Sequence, residues 1–285
     1  MIPHEFEYTA AATLQETLTL IESGDRKVLA GGMSLIPLMK LRLAAPGEVV
    51  DIGRVPGLGG ISETDGVVRI GAMTTHHEVE SSPVIRAKCP LLGETASHIG
   101  DVQVRNMGTI GGSVAHADPA ADYPAALQAL EAKIVLKGVK SERTVSAEDF
   151  FIDTFTTALE PGEIVREVIV PMDGGDTGTN YQKVLQPASG FAIVGIAVRV
   201  RKSGGKISMA RIGVTGLANK AYREREAEKA LEGSAGSPAE IQAVAAWIGK
   251  GIDANSDLHA SAEYRIHLAS VYAAKALTAA LGRIA

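Results

Sequence analysis

The sequence predicts an α+β chain, and three observations carry that expectation. A strand–glycine turn–helix–strand unit, with a helix ahead of it, fills the first fifty-odd residues. A different texture of separate short strands and helices begins near Val55. Beyond a turn-rich stretch, Asp173-Gly174-Gly175-Asp176-Thr177-Gly178, three antiparallel strands are followed by three helical stretches. The chain has 285 residues, enough for more than one core. The expected division is 1–176, subdivided into about 1–55 and 56–176, followed by 177–285.

Taken in order, residues 12–23 read as a helix because Leu14, Leu18 and Ile21 recur at helical spacing, and Gly24 closes it. Val28 and Leu29 mark a short strand over 27–30. Gly31-Gly32 follows directly, and Ser34 is placed to cap a helix running to about Leu43. Residues 48–52 form a second strand, and 67–72 a third, bounded by Asp65-Gly66. A short helix is expected over 74–81 and a longer one over 84–99, which Pro90 interrupts or restarts. Asp118-Pro119 pairs an N-cap residue with a proline at the first helical position and predicts a helix start there. Strands follow at 133–137 and 164–170. The three antiparallel strands are 181–185, 192–201 and 206–214, the last two joined by Lys202-Ser203-Gly204-Gly205. Helices are expected over about 221–232, 238–250 and 261–281.

Composition narrows the function classes. Hydrophobic residues make up 46% and charged residues 21%, the balance of a soluble globular chain. The net charge is −5 with no basic block, which argues against a nucleic-acid partner. No run approaches the roughly 18 apolar residues of a membrane-spanning helix. The opening MIPHEFEYTA lacks the basic and apolar regions of a signal peptide, so a cytoplasmic protein is expected. The single cysteine, Cys89, forbids an internal disulfide and argues against an iron–sulfur cluster held within the chain. Beside Pro90 it reads as a small apolar residue.

Two glycine segments carry the chemistry. Ala30-Gly31-Gly32-Met33-Ser34 follows a strand and precedes a helix, an arrangement whose backbone N–H groups suit a phosphate. Thr109-Ile110-Gly111-Gly112-Ser113 reads the same way, and Ser34, Thr109 and Ser113 add hydroxyls. A lone Gly-Gly is more often a tight turn; two such loops suit a pyrophosphate bridge. Neither has the spacing of the Rossmann fingerprint, and no GxxxxGK[ST] segment occurs.

Three segments in order, AGGMSLIPLMKLRLAAPGEVVDIGRVPGL, IGAMTTHHEVE and QVRNMGTIGGSVAHADPAADYPAAL, resemble the FAD-binding medium subunit of the molybdenum hydroxylases. QPASGFAIVGIAV is similar to the carbon-monoxide-dehydrogenase type of that subunit. The resemblance spans nearly the whole chain. It implies a two-subdomain FAD-binding domain of the p-cresol methylhydroxylase type, plus a C-terminal domain with a three-stranded antiparallel sheet and a helical bundle. It implies non-covalent FAD held by Ala30, Gly31, Gly32, Met33, Ser34 and Leu35, and by Thr109, Ile110, Gly111, Gly112 and Ser113. Met33 stands where the family usually has His, and Ser113 where it often has Asn. Asp122 matches the partner of a flavin-side hydroxyl, Ile99 and Leu159 match apolar positions against the ring, and Lys183 matches a Lys beside its carbonyl edge. No residue of the chain is expected to be catalytic in its own right, and none to bind metal. Electrons would reach the flavin from 2Fe-2S clusters on a small partner subunit, a large partner would hold molybdopterin, and the whole would be a dimer of heterotrimers.

Other residues read more plainly. Adjacent His76 and His77 point apart and suit a solvated turn rather than a metal pair. His98, His116 and Asp118 lack metal-ligand spacing, and Asp118 reads as a helix cap. The run 223–229 reads as a solvated helix face. Two rival functions stand beside the leading one: a free-standing flavin oxidase or reductase, and a non-catalytic subunit that binds a nucleotide for assembly.

Overall fold

The computed structural model of the chain describes residues 2–23 and 26–284, so the expected helix stop at Gly24 lies outside the described residues. The first unit comprises β1 (Glu7–Ala10), α1 (Leu14–Ile21), β2 (Arg26–Leu29), α2 (Leu35–Lys40) and β3 (Glu48–Asp51). Its sheet is parallel, in the order β1-β3-β2. Helix α1 starts where the Thr13 hydroxyl accepts from the Glu16 amide at 3.1 Å, satisfying one orphan N–H of the first turn. Leu18 and Ile21 turn inward against Val50, Ile52 and Leu58, which form a core of their own.

The central unit runs through β4 (Ile61–Thr64), β5 (Val67–Gly71), α3 (His76–Ser81), α4 (Pro83–Lys88), α5 (Pro90–Ser97), α6 (Val102–Met107), α7 (Ile110–His116) and α8 (Asp122–Ala129). It continues with β6 (Lys133–Lys137), β7 (Glu142–Ser146), α9 (Ala147–Phe150), β8 (Phe151–Asp153), β9 (Thr156–Thr157) and β10 (Ile164–Pro171). Five strands pair antiparallel in the order β4-β5-β10-β6-β7. Thr75 and Glu78 close a capping box on α3. Pro90 divides the apolar stretch into α4 and α5, as its missing N–H requires. Cys89, at that junction, is fully buried, and burial, with Asp173 adding to it, pushes its thiol up to about 12. It packs as an apolar group.

The last third forms β11 (Thr177–Leu185), β12 (Ala192–Ser203), β13 (Lys206–Thr215), β14 (Tyr222–Arg223), α10 (Arg225–Leu231), α11 (Pro238–Ala245) and α12 (Ala262–Gly282). The three long antiparallel strands are joined by the two-residue β14 as a fourth. Helix α12 covers one face of the sheet and α8 the other. Val194, Ile196, Ala197, Val198 and Val200 are therefore all buried, and β12 loses the alternation of a half-exposed strand. Gly213 makes the α8 contact possible: a Cβ there would lie 2.0 Å from the Ala125 carbonyl oxygen.

Several expectations need correction. The helix expected at Asp118 starts at Asp122; the Asp118 carboxylate instead accepts from the Ala120 amide at 2.8 Å and holds a turn. Ser34 sits at the N-cap of α2, but its hydroxyl makes no capping bond. His76 is buried, 4% exposed, at the start of α3 rather than in a solvated turn. The run 223–229 is not all solvated: Arg223 and Glu228 form a buried ion pair at 2.6 Å.

Candidate functional site

The two glycine segments meet. A Cβ on Gly31 would lie 2.0 Å from the Met107 carbonyl oxygen and 2.8 Å from Gly108 Cα, so only glycine lets these backbones touch. A Cβ on Gly112 would be 3.8 Å from that of Ala30. Segments more than seventy residues apart in the chain thus form one surface, built of main chain.

Their hydrogen bonding differs. Among the described residues, the amides of Gly31, Gly32, Met33, Ser34 and Leu35 have no acceptor. Gly32 adopts φ +74°, which swings the chain from β2 into α2. A file of unpaired N–H groups at a turn before a helix is an anion cradle. The second segment follows α6, not a strand, and its amides are spent. Ile110 donates to Thr74 at 3.0 Å and Gly111 to Ala72 at 2.9 Å. Gly112 donates to the Thr109 hydroxyl at 3.1 Å and Ser113 to the Thr109 carbonyl at 3.0 Å. The segment is the capped first turn of α7, seated on the end of β5 because a Cβ on Gly111 would fall 2.4 Å from Ala72. It supplies shape and the Ser113 hydroxyl, while the first segment supplies the donors.

A buried polar cluster lies one layer away. His76 donates its amide to the Gly108 carbonyl at 3.0 Å, and its ring packs 5.3 Å from that of Tyr123. Next to Tyr123, Asp122 opens α8 with its carboxylate buried. Lys183 donates to Asp122 Oδ2 at 2.8 Å and to the His98 carbonyl at 2.9 Å; the Tyr181 hydroxyl donates to Asp122 Oδ1 at 2.6 Å. Burial pushes the Asp122 carboxyl above the usual carboxylate range, and the Lys183 ammonium opposes that push. The Lys183 side chain is only 1% exposed. Each oxygen of Asp122 still has an unused lone pair, and Lys183 a third N–H.

Asp122 and Lys183, distant in sequence, are thus brought together. Ile99 follows the carbonyl that receives Lys183 and is half-buried against the central core. Leu159 packs on the same core, but no hydrogen bond ties it to either group of residues; its amide donates to Thr157. Tyr181 is the member that sequence reading missed. The available signal was spacing: Tyr181 and Lys183 are two apart on a strand and share a face. Among the described residues, no three His, Cys, Asp or Glu groups could hold a metal ion, and no helix is long and apolar enough to cross a membrane.

The chain matches two family models: "FAD binding domain in molybdopterin dehydrogenase" over residues 4–173 and "CO dehydrogenase flavoprotein C-terminal domain" over 179–280. It is 42% identical to the carbon monoxide dehydrogenase medium chain of Hydrogenophaga pseudoflava, covering 100% of both chains. It is 38% identical to the glyceraldehyde dehydrogenase medium chain of Sulfolobus acidocaldarius, covering 97% of this chain and 98% of that one. The solved carbon monoxide dehydrogenase of Hydrogenophaga pseudoflava lacking the Mo-pyranopterin moiety superposes with a TM-score of 0.97 at 44% identity, over the full length of both chains.

Proposed function

The chain belongs to the family of FAD-binding medium subunits of molybdopterin dehydrogenases, and from that premise we propose that it is the electron-passing flavoprotein subunit of a three-part molybdenum hydroxylase. The observation that carries the reading is the cradle: five successive amides without acceptors, against a second glycine turn that leaves no room for side chains. A dinucleotide pyrophosphate fits that donor set.

In this proposal the amides of Gly31, Gly32, Met33, Ser34 and Leu35 hold the phosphates, with Ala30, Thr109, Ile110, Gly111 and Gly112 shaping the floor and Ser113 adding a hydroxyl. Asp122 accepts from a hydroxyl on the flavin side chain. Lys183 offers its third N–H to the carbonyl edge of the ring, where a cation favours added negative charge. Ile99 and Leu159 provide apolar contact and exclude water. FAD, bound without a covalent link, supplies the redox chemistry, taking electrons from a partner's 2Fe-2S clusters and yielding them to an external acceptor. The chain's own task is to bind, orient and tune.

Relatives named as medium chains support a smaller and a larger partner chain; in this proposal the small one carries the 2Fe-2S clusters and the large one molybdopterin, in a cytoplasmic dimer of heterotrimers. Separate cores and the spans of the two family models support a division into 1–176 and 177–285. The test is a pair of spectra taken without oxygen. In the purified three-subunit complex, the hydroxylase substrate should bleach the flavin absorption; in the isolated chain loaded with FAD, the same substrate should leave it unchanged. Bleaching in the isolated chain would sink the subunit reading.

A further inference from the structure

The Tyr181 hydroxyl is held in place by three neighbours besides Asp122. Strand β11 is an edge strand, and the Tyr181 amide donates to Glu94 Oε2 on α5 at 3.2 Å. Glu94 also accepts from the Asn180 side chain at 2.8 Å and from the two terminal nitrogens of Arg283 at 2.8 Å and 3.0 Å, which pins this edge of the sheet. On β12, Gly195 leaves room for the phenol: a Cβ there would fall 2.4 Å from the Tyr181 hydroxyl. The His98 ring packs edge-on against the Tyr181 ring, 5.6 Å away at 71°. Burial, with the Asp122 charge adding to it, pushes the phenol well above its ordinary value, so Tyr181 stays a neutral donor.

The Asp122 carboxylate is divided between two donors from this one strand. Tyr181 and Lys183 share a face of β11, roughly 7 Å apart along it. Tyr181 takes Oδ1 and Lys183 takes Oδ2. An ammonium alone with a carboxylate is drawn between the two oxygens; with Oδ1 occupied, Lys183 stays on Oδ2. Its second N–H goes to the His98 carbonyl. A tetrahedral ammonium with two N–H directions fixed has its third fixed as well. The phenol also draws charge from the carboxylate, so less of the Lys183 field is cancelled on its free side.

We infer that Tyr181 is a positioning residue for the flavin: by occupying Oδ1 of Asp122 it holds Lys183 on Oδ2, with the free N–H of Lys183 turned to the carbonyl edge of the ring. The inference rests on the flavoprotein reading. Tyr181 acts through Asp122 and Lys183 rather than by contact with the ring. Without its hydroxyl, Lys183 slides toward the middle of the carboxylate and its free N–H turns away. The support that the cation gives to added negative charge on the ring then weakens, and bound FAD becomes harder to reduce. The cradle is a separate structure. Among the described residues, no hydrogen bond joins the side chains of Tyr181, Asp122 and Lys183 to residues 30–35 or 109–113.

The test measures the midpoint potential of FAD bound to the full chain, by dye-coupled reduction without oxygen near neutral pH. The chains compared are the wild type, Tyr181→Phe, Asp122→Asn and the double variant. Tyr181→Phe removes one oxygen atom and keeps the ring. It should lower the reduced-to-oxidised ratio at a fixed potential about tenfold, a fall of about 30 mV for two electrons. In the Asp122→Asn background the same change should move the potential by less than about a third of that, since the residue through which Tyr181 acts has lost its charge. ADP, which carries the pyrophosphate without the flavin, should bind Tyr181→Phe as it binds the wild type. Should Tyr181→Phe fail to fold, 3-fluorotyrosine in place of Tyr181 keeps the hydroxyl, strengthens its donation and should raise the potential; an unchanged or lower value overturns the inference. So does an unchanged or higher potential in Tyr181→Phe, an undiminished shift in the Asp122→Asn background, or ADP binding weakened as much as FAD binding; each leaves the flavoprotein reading standing. A wild-type chain that takes up no FAD overturns the flavoprotein reading itself, and the role of Tyr181 with it.

Discussion

His76 is a buried base with nothing to gain from being charged. Burial, with the Arg105 charge adding to it, lowers its pKa to about 4. In the unfolded chain an imidazole protonates near 6.5, so between those values the unfolded state binds more protons than the folded one. Stability contributed by neutral His76 is complete above that window and is lost as pH falls through it. The gap corresponds to about 3 kcal/mol at most. Urea unfolding followed from pH 7 to pH 4 should therefore show a steep loss of stability that His76→Gln flattens; an equally steep profile in the variant would refute the account. The Thr-Thr-His-His-Glu run concealed this residue because it looks polar. What buries the ring is a contact at long range: a Cβ on Gly108 would lie 2.6 Å from His76 Nε2, so the ring occupies space that glycine alone leaves open. Tyr181 escaped notice for a related reason, since its partner Asp122 lies 59 residues away.

At the scale of elements, the long periodic segments were legible and the short ones were not. Helix α1 announced itself through the spacing of Leu14, Leu18 and Ile21, and α11 and α12 follow the expected helical stretches; the structure adds their N-caps, Thr13, Ser237 and Ser261. Strands β1, β4, β7, β8 and β9 have two to five residues each, too few for alternation to register. The glycine segments were legible as a pair, but the division of labour between them was not. It depends on α7 beginning at Ile110, inside the motif, where the four amides of Ile110 to Ser113 are spent on Thr74, Ala72 and Thr109. Gly31→Ala should displace Met107 and separate the segments, costing about 1–3 kcal/mol of stability and most of the bound FAD, read as the flavin-to-protein absorbance ratio. Gly175→Ala is the control, because a Cβ there meets nothing within 4 Å. Equal FAD content in the two variants would show that the cradle does not hold FAD.

At the scale of the molecule, the C-terminal sheet is fastened to the rest by arginines reaching back. Arg199 on β12 meets Asp173 at 2.6 Å with both side chains buried, while Arg211 and Arg223 converge on Glu131 at 2.9 Å and 3.1 Å. Arg199 and Arg211 were visible in the sequence only as charges on expected strands, and Arg223 only as the start of a run expected to form a solvated helix face. Arg199→Met leaves the Asp173 carboxylate buried beside Cys89 without its partner, and urea unfolding should record a loss of about 3–5 kcal/mol. A loss below ~1 kcal/mol would show that the contact contributes no more than a surface pair. The seam at Gly31 has a different consequence. Ala30 packs with the N-terminal core and Ile110 belongs to the central one, so the cradle exists only when both have folded and docked. A dinucleotide seated across that seam acts as a rivet between two independently formed bodies. Its loss should let amide hydrogens along Gly31–Leu35 and Met107–Gly108 exchange together, well before either core opens.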